Sequence, residues 1–166
     1  MTKRNVMIRI LSSRLEVPRE LFEEDTLPED FEIDSLSGEM PDPSEMMMEG
    51  RLITGSDRVE VVYEESELTG MEGSVTSVGF ARNAPELISM MRTGLVRTAL
   101  VFEEGKRHLC LYNTPFSQME ICVHALRVEN ELLTTGRILL DYLIEIHGLQ
   151  AEHCHMEIFV RSAEEL

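Results

Sequence analysis

The sequence predicts an all-β protein, a single antiparallel barrel of about eight to ten short strands occupying residues 1–166 as one domain. Three observations predict it. Apolar residues recur with period two in almost every apolar run. Turn residues interrupt these runs at short, regular intervals. No strand–helix–strand unit can be traced, which argues against a parallel sheet covered by helices.

The elements follow in order. Residues Asn5–Glu16 form the first strand, carrying apolar positions on alternate residues. Residues 20–49 then hold twelve acidic residues and no Lys or Arg, together with Pro28, Gly38, Pro41 and Pro43. Such a stretch buries too little apolar surface to offset the entropy of ordering it, so 17–43 reads as an acidic, irregular and mobile insertion. Within it, Pro18 can start a short helical turn over Glu20–Glu24. Strands are expected next at Glu45–Thr54 and Arg58–Glu64, joined by the turn residues Gly55-Ser56-Asp57. Val75–Arg82, Glu86–Arg92 and Arg97–Glu103 continue the pattern, with breaks at Gly94 and Gly105.

Residues 83–94 also fit a helix, capped by Asn83 with Pro85 in its first turn. The strand is preferred. Lys106–Thr114 and Ser117–Val128 alternate cleanly, the second placing Met119, Ile121, Val123 and Ala125 on one face. In Leu132–His147, Ile138, Leu140, Tyr142, Ile144 and Ile146 share a face. The last strand, Leu149–Arg161, turns Cys154, Met156, Ile158 and Val160 inward.

Between about Glu45 and Val160 the residues Gly50, Val62-Tyr63-Glu64-Glu65 and Met91-Arg92-Thr93-Gly94 stand in a recognisable order. Phe102, Gly105, Tyr112-Asn113-Thr114-Pro115-Phe116 and Gly136-Arg137-Ile138 leading to Tyr142 complete it. In these motifs the chain resembles the YwiB-like family of uncharacterised bacterial proteins (domain-of-unknown-function family 1934). The resemblance implies a calycin-like, lipocalin-like β-barrel and carries no functional residue with it. Ser117 stands where the family usually has glycine. The acidic stretch before residue 45 is longer than the family pattern, an addition that costs little loop-closure entropy.

Charge excludes several functions. A net charge of −16 repels phosphate backbones, so nucleic acid is not an expected partner, nor is an anionic membrane surface. No apolar run approaches the ~20 residues of a spanning helix. Cys110, Cys122 and Cys154 form neither a disulfide framework nor a zinc ribbon, which fits a reducing cytoplasm.

The candidate sites are few. In His153-Cys154-His155-Met156-Glu157 two imidazoles and a carboxylate share one strand face, as metal ligands would. That face lies opposite the apolar stripe, and His124 lies two strands away, roughly 10 Å. The expectation is a solvated outer face and no metal. Arg92 shares a face with Ile88 and Met90. It can grip a carboxylate ligand at the barrel mouth, or pair with a Glu of a neighbouring strand, the favoured reading. Eleven methionines, among them Met46, Met47, Met48, Met90 and Met91, read as core, with an adaptable pocket as the alternative. No nucleophile elbow and no phosphate loop occur, so no enzyme is expected. Glu64-Glu65 and Glu103-Glu104 read as turn-flanking charges.

The sequence therefore points to a non-catalytic barrel binding a small apolar or amphiphilic molecule in its interior, with Arg92, Tyr112, Leu140 and Tyr142 as lining residues and no cofactor. The absence of a Gly-x-Trp signature weighs against lipocalin-style transport. The alternative is an interaction or regulatory scaffold with a solid barrel, acting through the acidic segment or a strand edge. A homodimer is expected to use Leu139, Leu143 and Phe159 as exposed outer residues.

Overall fold

The computed structural model describes residues 1–17, 40–65, 73–146 and 151–163. Its strands are β1 (Thr2–Val17), β2 (Ser44–Thr54), β3 (Arg58–Glu64), β4 (Val75–Ala81) and β5 (Ala84–Thr93). They continue with β6 (Arg97–Glu103), β7 (Arg107–Asn113), β8 (Gln118–Glu131), β9 (Arg137–Ile146) and β10 (Ala151–Ser162). Among the described residues there is no α-helix, and none is therefore long and apolar enough to cross a membrane. Most of the acidic insertion expected at 17–43, with its helical turn, lies outside the described residues; β1 runs through Val17.

Every strand pairs antiparallel with its sequence neighbour, and β1 pairs with both β2 and β10 to close the barrel. Val6 sits opposite Gly50 on one side and Ser162 on the other. Closure matters energetically, because a twisted open sheet of this size would leave two rows of unpaired amides and carbonyls. The segment 84–93 is a strand, as its alternation indicates: Ile88 and Met90 are buried while Met91 is exposed.

The core follows the inward parity of each strand. Ile8 and Ile10 of β1, Val59 and Val61 of β3, Phe102 of β6, Ile121 and Val123 of β8, and Ile138 and Leu140 of β9 are almost fully buried. Each contributes about 1.5–3 kcal/mol by leaving water. The Phe102 and Tyr142 rings meet edge to face at 4.8 Å, the arrangement their quadrupoles favour. A bulge between Ala125 and Arg127 shifts the parity of β8, so Val128 packs inward while Arg127 points to solvent.

The two ends of the barrel differ. One end carries the short turns 55–57, 82–83 and 104–106, and the lower part of β8 closes it. There Asn130 Nδ2 donates to the Pro85 carbonyl at 2.9 Å, Val128 N donates to Glu104 Oε1 at 3.0 Å, and Gly105 N donates to the Ala125 carbonyl at 2.8 Å. The other end carries the connections after β1, β3, β5, β7 and β9. That end is open.

Candidate functional site

One row of cross-strand partners runs across the inner face and meets the cavity at Tyr63 and Arg92. On the inner face, Val6, Gly50, Tyr63, Thr76, Arg92, Thr98 and Tyr112 lie opposite one another across β1 to β7. Most of the motif residues that mark the family resemblance in this half of the chain fall on that row or beside it. Gly50 is glycine for lack of room: a Cβ there would stand 2.4 Å from Ile8 Cδ1 and 2.7 Å from the Val62 carbonyl.

Beyond the row, Glu65 turns inward at the end of β3 and is buried. Thr76 Oγ1 donates to Glu65 Oε1 at 2.6 Å, Arg92 Nη2 donates to the same oxygen at 3.0 Å, and Arg92 Nε donates to Thr76 Oγ1 at 3.4 Å. Arg92 thus pairs with a Glu, as its favoured reading has it, but the partner follows β3, two strands away, and not a neighbouring strand. Burial, and secondarily the Glu65 charge, push the Tyr63 hydroxyl far above its ordinary range. It stays neutral.

Arg92 also lines a cavity. The cavity holds about 550 Å³ and opens at this end, with Ile10, Met46, Met90 and Met156 as apolar lining and Tyr63, Glu65 and Arg92 on the polar side. Arg14 reaches it from β1, on the same parity as Ile10 and Ser12. The other lining residues expected from sequence fall elsewhere. Leu140 and Tyr142 are packed into the filled part of the barrel, and Tyr112 packs against that core. All three point inward: Tyr142 meets the Phe102 ring, Leu140 lies between Met156 and Val128, and Tyr112 lies opposite Thr98. A larger depression of about 690 Å³ lies mainly against the outer side of β2 and β3, at Glu49, Arg51, Val62 and Glu64. It contains no comparable buried ion-pair network.

A second polar cluster occupies the outside of β9 and β10, and it corrects an expectation. His153 and His155 do sit on the outer face, but that face is not solvated: His153 is 4% exposed and Asp141 is 8% exposed. Asp141 joins both imidazoles, meeting His153 Nε2 through Oδ1 and His155 Nδ1 at 3.0 Å through Oδ2. The series continues from His155 Nε2 to Glu157 (3.5 Å), from Glu157 to Arg137 Nε (3.0 Å), and from Arg137 Nη1 to Glu129 (2.9 Å). Burial alone would raise the Asp141 carboxyl; the hydrogen bonds and charges of His153 and His155 outweigh it and hold the group at about 2. The same hydrogen bond raises His155. Across β8, burial and the Arg107 charge lower His124.

Leu139 and Leu143, expected as exposed dimer residues, are buried at 3% and 0% on this outer side, and Phe159 is half-buried beneath the Arg9 guanidinium. A signal for this was present. The outer parity of β9 places Leu139 and Leu143 between the charged Arg137, Asp141 and Glu145, so its charged residues are interleaved with apolar ones that packing can cover. Among the described residues no His, Cys, Asp and Glu group is placed to hold a metal ion, and no serine or cysteine is hydrogen-bonded to His153 or His155.

The crystal structure of the ywiB protein from Bacillus subtilis is similar to this fold, with a TM-score of 0.71 over 97% of this chain and 93% of that one, at 15% identity. No protein of curated function matches the sequence. The family model described as Domain of unknown function (DUF1934) matches residues 31–158. With so much of the sequence matched, and with the closed ten-strand barrel in place, the chain belongs to the DUF1934 family.

Proposed function

We propose that this barrel is a non-catalytic binder of a small apolar or amphiphilic molecule, held in the cavity at its open end. The observation that carries the reading is that cavity: about 550 Å³, walled by three methionines and Ile10, with a buried ion pair on its polar side. The volume lies in the range of ordinary small-molecule sites, which are mostly apolar with a few fixed polar groups. Thioether side chains adapt to the shape of what they contact. The filled remainder of the barrel acts as a rigid support.

The scaffold alternative would act through the acidic segment or a strand edge, and it is less favoured here because β1 is hydrogen-bonded on both sides in a closed ring of strands. A cytoplasmic location belongs to the proposal and draws on three free thiols.

The test is titration of the purified protein with 1-dodecanol, read by thermal shift and native mass spectrometry. Met156→Trp, which fills the cavity, should abolish the shift while the protein still folds. No shift for the wild type, or an equal shift for the filled variant, overturns the reading.

A further inference from the structure

The cavity's polar groups are unequally spent. Glu65 Oε1 already accepts from Thr76 and from Arg92, and Thr76 Oγ1 both donates and accepts. Arg92 has committed Nε and one Nη2 hydrogen, and a guanidinium carries five N–H donors. Its side chain remains 21% exposed within the lining.

Arg14 is still less committed. It lies opposite Cys154, which in turn lies opposite Tyr142, so its stem is on the inward parity of β1. Its side chain is 70% exposed, and its recorded acid partner, Glu152, is 3.8 Å away. Arg14 lines the cavity together with Ser12 and Ser13. The other acid of the lining, Asp42, is exposed on the segment entering β2. Among the described residues, two guanidinium groups with unspent donors therefore face a cavity whose buried carboxylate is already paired.

We infer that the molecule bound in this cavity carries an oxyanion head group, a carboxylate or a phosphate monoester, held by Arg14 with Arg92 behind it, and an apolar tail against Met46, Met90 and Met156. The inference rests on the binding reading above and narrows it. A guanidinium fork matches an oxyanion in two-point geometry. The chain as a whole carries −16, so a preference for anions cannot come from its general field and must be local.

The experiment titrates wild type and Arg14→Gln with four probes of equal chain length: dodecanoate, dodecyl phosphate, 1-dodecanol and dodecylamine. At least one oxyanion probe should bind wild type about tenfold or more tighter than 1-dodecanol, the return on a charge-assisted hydrogen bond. Arg14→Gln should erase that advantage, lowering the affinity for the oxyanion about tenfold more than the affinity for 1-dodecanol. The tighter of the two oxyanions identifies the head group. If 1-dodecanol binds as well as both, or if dodecylamine binds best, the head-group inference falls while the cavity reading stands. If no probe binds, both fall. If Arg14→Gln keeps the oxyanion preference and its wild-type melting temperature, the inference is overturned. Arg14→Glu gives a second check, since it should reverse the order in favour of dodecylamine.

Discussion

The two buried polar clusters of this barrel are built from the same kinds of groups and do different things. At the mouth, Tyr63, Glu65, Thr76 and Arg92 border open space. On the outside of β9 and β10, Asp141, His153, His155, Glu157, Arg137 and Glu129 are joined one to the next. Burial of charge is common to both. What separates them is the void: Arg92 keeps unused donors beside a cavity, whereas Arg137, with as many left over, sits between Glu129 and Glu157. That combination marks a binding site; burial alone marks only a group that had to be satisfied.

The most forceful way to break the comparison is Arg92→Met. It leaves Glu65 buried with Thr76 as its remaining donor and should cost about 3–5 kcal/mol in urea denaturation, the usual penalty for stranding one member of a buried pair. The double variant Glu65→Leu with Arg92→Met should recover most of that loss. A double variant as unstable as the single would show that the pair is not the coupled unit described.

Asp141→Asn should cost about 2–3 kcal/mol, because two imidazoles lose their shared carboxylate. The outer series should also respond to pH. Asp141, lowered from 3.8 to about 2, contributes stability that is full above 3.8 and is lost as pH falls towards 2. His155, raised above 6.5, contributes stability that is full below 6.5 and is lost as pH rises through its folded value. The deficit of Asp141→Asn relative to wild type should therefore peak between about pH 4 and 6.5, shrink by about 2 kcal/mol towards pH 2, and shrink again as pH rises past 6.5. A deficit that is flat from pH 3 to 8 would remove the electrostatic account of the outer series.

The smallest expected effect sharpens the contrast most. Arg14→Gln should change stability by no more than about 0.5 kcal/mol, since the side chain is largely exposed and loosely partnered. A residue that matters to probes and not to folding is what the mouth should contain and the outer series should not.

The strands were legible because period two is a strong signal. Val59, Val61 and Tyr63 are buried on one face of β3, and the stretch 84–93 is a strand despite its helical alternative. The outer face of β9 was misread because a one-sided rule was applied to a strand whose Leu139 and Leu143 are as buried as Ile138 and Leu140. Glu65 was passed over with Glu64 as a turn-flanking charge. The two do point to opposite faces, and it is Glu65 that turns in. Arg14 continues the parity of Ile8, Ile10 and Ser12, so its direction could have been read from the sequence. Which inward residues border the cavity could not. Met156 lines it while Leu140, its direct cross-strand partner, is packed in the core, a difference that inward parity does not carry.

Closure also sets a kinetic condition. β1 is held on one side by β10, so Val6 must meet Ser162 across almost the whole chain before the ring exists. The entropy of joining such distant segments is lost before the contacts they form can return it, which slows folding. Until then β1 and β10 each present a bare edge, with Ile8, Ile10 and Ile158 uncovered. Such strands are prone to pair with another chain. Yield on refolding should therefore fall steeply with protein concentration, even though the finished barrel has no edge to offer.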